Sequence, residues 1–316
     1  LLYVNNVAAG GMDPNHNEVL LTPKAKGGEV FTLHVEAYCG HPVWEADPFA
    51  SRIATMHSIP WVVKQPPPLP LLESSLVYLR EDVDTFLFDV DVLYRTALVL
   101  DERSARRASI LETLRISPDG ISLQWTTEDE LSAAVLGAQR IVAPLLKCHN
   151  AATVPAIGIT GHAHIDVGWL WPVKESIRKC ARTFSTVLSL MEQYPEFTFL
   201  QSQAALYEMV ERHYPELLAR ITRRVKEGRW EPNGAMWVEA DCNVSGGEAL
   251  VRQLLEGGKK FQELFGYRGD TLWLPDVFGY SAALPQILVK SGIVNFVTSK
   301  INWNDTNRFP YDTFWW

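Results

Sequence analysis

Gly161-His-Ala-His-Ile-Asp-Val-Gly-Trp169 follows an apolar run, Ala156–Ile159, that predicts a buried strand. Alternate side chains of a strand share one face, so we expect His162, His164 and Asp166 to point the same way. An imidazole nitrogen and carboxylate oxygens on one face are suitable ligands for a divalent cation. A single His-x-His or His-x-Asp pattern also arises often by chance. The motif therefore predicts a metal site only together with a second, independent feature.

A second acidic motif lies far along the chain, after another short apolar run. Residues Thr271–Pro275 predict a buried strand, and Asp276 follows it directly. In parallel α/β barrels the carboxyl ends of the strands form the catalytic face. By itself, Asp276 is better explained as a turn-forming or helix-capping aspartate before Gly279 and Ser281. Paired with the first motif, it predicts a shared acidic site at one edge of a sheet.

Together the two motifs resemble those of glycoside hydrolase family 38, the retaining α-mannosidases. Residues 161–169 are similar to the family's metal-binding segment, and residues 272–281 to its nucleophile segment, in the same order. The likeness extends along the chain and indicates the branch that contains the cytosolic and fungal vacuolar enzymes. Its further segments are residues 2–6, 13–19, 35–41, 228–239, 288–292, 300–303 and 309–316.

This resemblance implies a nucleophile and a metal site. Asp276 would attack the anomeric carbon, form a β-linked glycosyl-enzyme intermediate and release the sugar with net retention. His164, Asp166 and Asp276 would bind the metal, which would hold O2 and O3 of mannose rather than generate hydroxide. One nitrogen and several oxygen ligands favour zinc, with cobalt and manganese as alternatives.

The resemblance also implies substrate-binding residues. Trp169 and Phe278 match positions that line the mannose subsite, although ordinary packing also explains an isolated aromatic residue. Lys300 falls where some branches have an arginine that contacts the sugar or the nucleophile. His162 is not a ligand in the family, so we expect it to be a hydrogen-bonding neighbour of the metal site. Glu239 follows a predicted strand and could border the pocket.

Two further functional groups have no match in this sequence. The family's acid/base aspartate and its remaining metal-binding histidine would both lie beyond Trp316. The chain also lacks an initiator Met and stops within strand-like residues 313–316. We therefore expect a fragment that has no useful α-mannosidase activity alone, because leaving-group protonation is missing. A barrel that does not close would also expose an unpaired sheet edge.

Two alternatives belong to other functional classes. A metal-dependent polysaccharide deacetylase also uses a His/Asp metal site, but its metal activates water and its product is acetate. The segment that contains Asp276 argues against that activity. A barrel that binds carbohydrate without turnover is the second alternative, and the downstream acid/base carboxylate would argue against it.

Composition and charge restrict the partners. The chain is 47% hydrophobic and 21% charged, and it has no apolar run long enough to span a bilayer. Its net charge of −8 argues against nucleic acid and suits a neutral, mannose-containing oligosaccharide. The four scattered cysteines predict neither a zinc ribbon nor a dense disulfide framework. The resemblance implies a cytoplasmic protein, with the vacuole or lysosome as the alternative, and leaves a homo-oligomeric full-length protein open.

The sequence divides into three parts. Residues 1–65 show short apolar stretches between turns and predict a β-rich accessory segment. Residues 66–150 combine a proline-rich connector with helical runs at 72–114 and 128–147, which we interpret as a helical linker. Residues 151–316 alternate strands and helices, a pattern typical of a parallel sheet. The resemblance implies the N-terminal part of a catalytic, seven-stranded β/α barrel there.

The predicted fold class is therefore α/β, a partial seven-stranded parallel β/α barrel preceded by a β-rich segment and a helical linker. Within the barrel region we expect a helix from Pro172 to Tyr194 with Cys180 in its apolar face. A strand at residues 197–202, a helix up to Gly228 and another helix opened by a Ser245–Glu248 capping box should follow.

Overall fold

A computed structural model describes residues 1–13, 17–37, 74–116, 127–149, 153–169 and 171–316. The chain forms two compact units, one of residues 1–66 with 158–316 and the other of residues 67–157. The first unit thus joins the predicted accessory segment with the predicted barrel region. The proline-rich connector at residues 65–70 lies outside the described residues, so the three-part division stays a prediction.

The unit of residues 67–157 is helical in its described part. It contains α1 (Glu81–Val99), α2 (Ala105–Ile116) and α3 (Glu128–Leu146). The predicted helical run at 72–114 is thus two helices, with a break at residues 100–104. Helix α3 confirms the predicted second run and begins with a capping box between Thr127 and Glu130. The small core of this unit contains Phe86, Leu93, Ala97, Ile110, Val135, Ala138 and Val142.

The other unit begins with an antiparallel sheet. Strands β1 (Leu2–Val4), β2 (Val7–Gly10) and β3 (Leu33–Val35) pair in the order β2-β1-β3. The backbone turns between β1 and β2 at Asn5 and Asn6, which have φ angles of 50° and 66°. Asparagine tolerates this left-handed conformation, which tight hairpin turns require. The prediction of β structure near the N-terminus is confirmed for these residues.

Strands and helices then alternate along the same unit. A parallel sheet of β4 (Gly161–His162), β5 (Phe199–Gln201) and β6 (Trp230–Pro232) precedes a parallel pair, β7 (Thr271–Trp273) and β8 (Asn295–Val297). An isolated parallel bridge joins Gly234, just after β6, to Leu272 in β7. The connecting helices are α4 (Val173–Gln193), α5 (Ala204–His213), α6 (Pro215–Lys226), α7 (Gly247–Phe265) and α8 (Leu284–Lys290).

These described residues form a mixed α/β fold with small sheets. They do not show a seven-stranded parallel barrel, so the predicted partial barrel stays a prediction. Among the helices described, none combines the length and apolar character needed to cross a bilayer.

The main core lies between helix α4 and the sheet of β4, β5 and β6. Cys180 on α4 is fully buried, as the apolar spacing of that helix predicts. Trp230 on β6 is also buried, and its indole N–H donates to the Tyr207 hydroxyl at 2.9 Å. The other large side chains of this core include Phe184, Leu188, Met191, Leu206, Ile221 and Phe261. This packing fixes the strands whose ends carry the polar side chains.

Three local predictions are wrong. The apolar residues 156–159 are not a strand, and Ile157 and Ile159 are exposed. Ladder pairing begins only at Gly161, and an apolar run without a neighbouring strand cannot satisfy its backbone groups as a strand. The helix predicted up to Gly228 is interrupted at Tyr214, since Pro215 restarts it as α6. Helix α7 has Gly246 as its N-cap, without the side-chain bond of a capping box.

Candidate active site

The candidate active site consists of loops at the carboxyl ends of five parallel strands. Parallel strands bring these ends to one edge, which is why residues far apart in sequence can meet there. The segment that follows each of the strands β4 to β8 contributes polar side chains, from one residue beyond the strand for Ser202 to seven residues beyond it for Glu239. In chain order they are His164 and Asp166, Ser202 and Gln203, Glu239, Asp276, and Lys300.

His164 lies at the centre of this group. Its Nε2 atom is 3.2 Å from Asp166 Oδ1 and 3.6 Å from Asp276 Oδ2. Its Nδ1 atom is 2.7 Å from Glu239 Oε2, on the opposite edge of the ring. The structure therefore brings the three predicted metal ligands together and adds Glu239, which the sequence analysis placed only near the pocket.

Electrostatics favour a protonated His164 in this arrangement. Burial by itself lowers the pKa of the imidazole, but the hydrogen bond with Asp166 and the negative charges of Asp166 and Glu239 outweigh it and raise the pKa to about 10. The imidazolium charge thus balances carboxylates that converge on one ring. A cation that binds Nε2 has to replace this proton.

Asp276 is held by a second cation from the next strand. Lys300 Nζ forms an ion pair with Asp276 Oδ1, and the Lys300 side chain is only 8% exposed. The same ammonium group lies 5.2 Å from the ring centre of Phe278 and 3.0 Å from that of Trp303. Cation–π attraction to two rings restricts its position. Asp276 is thereby fixed between Lys300 and His164.

The predicted substrate-binding aromatic residues are accessible. Phe278 is 72% exposed and Trp169 is 51% exposed. Trp169 lies in the loop after Asp166 and packs edge-on against Trp171, with ring centres 5.4 Å apart. Phe278 lies beside Lys300 in the same group as Asp276, whereas the contacts of Trp169 place it next to Trp171. Trp303, which the sequence interpretation missed, is 64% exposed.

His162 belongs to a different element from His164 and Asp166. It is the last residue of β4, whereas the other two lie in the following loop, so strand alternation does not apply to them. His162 Nε2 is 3.4 Å from Ser202 Oγ, and its ring centre is 5.2 Å from that of Trp273. Burial lowers its pKa against the opposing charge of Glu239. Its place beside a metal site stays a prediction, since these two contacts are with Ser202 and Trp273.

The chemistry of His164, Asp166 and Asp276 suits a divalent cation. Two ligand atoms on a tetrahedral zinc are roughly 3.3 Å apart for bonds of about 2 Å, close to the two separations from His164 Nε2. In the described part of the chain, however, no three or more His, Cys, Asp or Glu side chains enclose a ready metal position. The metal site therefore stays a prediction that the donor types and their proximity favour.

Comparisons with known proteins point to one family. The model of the glycosyl hydrolases family 38 N-terminal domain matches residues 155–316. Alpha-mannosidase 2C1 of Mus musculus is 40% identical over 246 residues, which cover 78% of this chain and 23% of that protein. Alpha-mannosidase G of Dictyostelium discoideum is 45% identical over 168 residues, 53% of this chain and 16% of that protein.

A solved structure shows a weaker likeness. The crystal structure of an alpha-mannosidase from Enterococcus faecalis V583 is 24% identical, with a TM-score of 0.41 over 44% of this chain and 16% of that chain. The chain spans less than a quarter of the length of the two relatives named above.

The family match includes both motifs on which the sequence interpretation depends. Residues 155–316 contain the segment with His164 and Asp166 as well as the segment with Asp276. They also contain all five strands whose ends carry the polar group. The match covers half of the chain and confirms the predicted family. The chain belongs to glycosyl hydrolase family 38.

Proposed function

We propose that this chain carries part of the catalytic domain of a retaining α-mannosidase. The proposed substrates are terminal α-D-mannosyl residues of oligosaccharides, including free oligomannosides from N-glycan catabolism. The observation that carries this proposal is Asp276, a carboxylate at a strand end that faces His164 on one side and Lys300 on the other. The α-mannosidase names of the relatives support the same activity.

Asp276 is the proposed nucleophile. Its carboxylate attacks the anomeric carbon and displaces the leaving-group oxygen, which forms a glycosyl-enzyme intermediate. Water then attacks the same carbon, displaces the Asp276 carboxylate and releases the sugar with net retention. Lys300 and His164 hold the two carboxylate oxygens in fixed directions, and such positioning is a large part of catalysis. Phe278 and Trp169 offer exposed ring faces on which the apolar face of a sugar can stack.

His164, Asp166 and Asp276 are the proposed ligands of a divalent metal, with zinc favoured over cobalt and manganese. When bound, the metal supplies positive charge that orients the hydroxyl groups of the sugar. The chain's own contribution is to bring an imidazole nitrogen and two carboxylates together from two strand ends. Lys300 balances the remaining charge on Asp276.

The proposal also includes a barrel arrangement of the strands and a cellular compartment. Strands β4 to β8 lie in sequence order, with parallel pairing and one parallel bridge between the two sheets. This order supports the start of a seven-stranded β/α barrel. We propose a cytoplasmic enzyme whose partner is a mannose-containing oligosaccharide, and size measurements on the natural protein would decide whether it is a homo-oligomer.

Asp276→Asn in the natural protein that contains these residues tests the activity. We expect loss of hydrolysis of a chromogenic aryl α-mannoside, because the amide is a far weaker nucleophile. Asp270→Asn is the matched control, since Asp270 precedes β7 at the opposite end and its carboxylate accepts the Thr271 hydroxyl. Near-normal turnover by Asp276→Asn would exclude Asp276 as the nucleophile. Release of acetate from an acetylated polysaccharide would favour the deacetylase alternative instead.

A further inference from the structure

Glu239 is the most buried carboxylate of the candidate active site. Its side chain is only 4% exposed, against 36% for Asp276 and 39% for Asp166. Burying an ionised carboxylate is unfavourable unless partners compensate for the lost hydration. Its surroundings therefore indicate the groups with which it interacts.

Each oxygen of Glu239 faces one partner. Oε2 lies 2.7 Å from His164 Nδ1, a contact at ion-pair distance although its angles fall outside hydrogen-bond limits. Oε1 accepts the hydroxyl proton of Ser202 at 2.6 Å. Because Ser202 has a single hydroxyl proton, its 3.4 Å contact with His162 requires an N–H on His162 Nε2.

The loop that carries Glu239 is tied to the loop that carries His164. Gln203 accepts the backbone N–H of Glu239 through Oε1 at 3.2 Å and donates from Nε2 to the Ile165 carbonyl at 2.8 Å. Gln203 is buried and has a φ of 66°, which is unfavourable for a residue with a Cβ atom. One strained residue thus fixes the distance between the two loops.

The orientation of the His164 ring follows from these contacts. With Nδ1 facing Glu239, only Nε2 is directed toward Asp166 and Asp276. Metal-binding histidines commonly donate their other ring N–H to a carboxylate, which fixes the ring and increases its basicity as a ligand. Simple packing of a buried carboxylate would not require one of its oxygens to lie at ion-pair distance from the imidazole.

We propose that Glu239 is a positioning residue that holds the His164 imidazole so that Nε2 binds the divalent metal. This inference rests on the proposed metal site and adds a residue that acts through His164 without touching the metal. Ser202 and Gln203 fix Glu239 in turn.

Zinc affinity of the natural protein, after metal removal and reloading, tests this proposal. Titration against a chromophoric chelator should show Glu239→Gln binding zinc about 10- to 100-fold more weakly than the parent protein. Excess zinc should restore part of the mannosidase activity. Glu231→Gln is the matched control, because Glu231 is an exposed residue of β6 whose carboxylate accepts the Asn233 amide. Its zinc affinity should equal that of the parent.

A double variant distinguishes positioning of the His164 ring from a general structural effect of Glu239. In a His164→Ala protein, adding Glu239→Gln should not weaken zinc binding further, because the group through which Glu239 acts is gone. An equal additional loss in that background would overturn the proposal, as would parent-like zinc affinity of Glu239→Gln alone. A parent protein that hydrolyses mannosides but binds no divalent metal would overturn the metal site and this inference together. If Glu239→Gln lowers zinc affinity but the parent protein has no mannosidase activity, the inference about Glu239 stands and the proposed function is contradicted.

Discussion

Lys300 shows how a single residue can define the surroundings of the proposed nucleophile. Its ammonium group is paired with Asp276 and confined by the rings of Trp303 and Phe278. The side chain is almost fully covered, so its charge is weakly screened by water. Lys300 is therefore expected to support the position of Asp276 throughout the reaction.

Lys300→Met should reduce kcat/KM for an aryl α-mannoside by about 10²-fold, because it removes one preorganised charge beside the reacting carboxylate. Lys300→Arg should reduce kcat/KM less, because arginine keeps the positive charge but carries it on a planar guanidinium group. Lys290→Met, at the exposed end of α8, is the control and should behave like the parent. A Lys300→Met enzyme with nearly unchanged kcat/KM would contradict this role.

The sequence predicted which residues belong to the candidate site better than it predicted the contacts between them. His164, Asp166 and Asp276 could be selected because they stand in two motifs at strand ends. Glu239 could only be placed near the pocket, since its contact with His164 depends on how the loop after β6 folds back. Trp303 was missed, because an aromatic residue beyond β8 has no pattern that separates a cation–π contact from packing.

At the scale of elements, helix α7 positions the loop that carries Glu239. Trp237 N–H donates to the Gln253 carbonyl at 2.9 Å, and Val238 N–H donates to Gln253 Oε1 at 2.8 Å. Gly257 on the same helix lets the backbone of this loop approach closely. A Cβ atom at Gly257 would overlap the Ala235 carbonyl oxygen and lie 2.5 Å from the Met236 carbonyl carbon.

Gly257→Ala should therefore destabilise the protein by about 1–3 kcal/mol, because backbone atoms have to move to accept the methyl group. The adjacent Gly258→Ala is the control, since its Cβ would meet only the Arg268 side chain at 3.5 Å. Alanine there should stabilise the helix by about 0.5–1 kcal/mol. Calorimetric unfolding of both variants measures the difference, and equal melting temperatures would contradict the close packing of α7 on the loop.

The elements were predictable where their pattern was long. Helix α4 has a regular apolar face, and its observed bounds lie within a residue or two of those predicted. The strands of the parallel sheets contain only two or three residues, so apolar runs placed them approximately and misplaced the first one. Pairing partners, rather than the residues of the strand itself, decide where such short ladders begin.

At the scale of the whole molecule, family membership was predictable and closure of the sheet was not. The motif residues are local in sequence and were sufficient to identify glycosyl hydrolase family 38. A barrel depends on pairing between distant strands, and in the described residues β4 pairs with β5 alone and β8 with β7 alone. The pairing in the described residues therefore leaves the barrel a proposal.

Covalent attachment of mannose to Asp276 is the defining step of the proposed mechanism, and it can be detected by trapping the intermediate. A fluorinated α-mannosyl fluoride slows both steps of a retaining mechanism, while its fluoride leaving group speeds the first, so the intermediate accumulates. The natural protein is incubated with this reagent, and its peptides are analysed by mass spectrometry. We expect one fluoromannosyl group, attached to Asp276 in the peptide that contains residues 272–281. A label on any other residue, or rapid turnover that gives the inverted sugar, would contradict this mechanism.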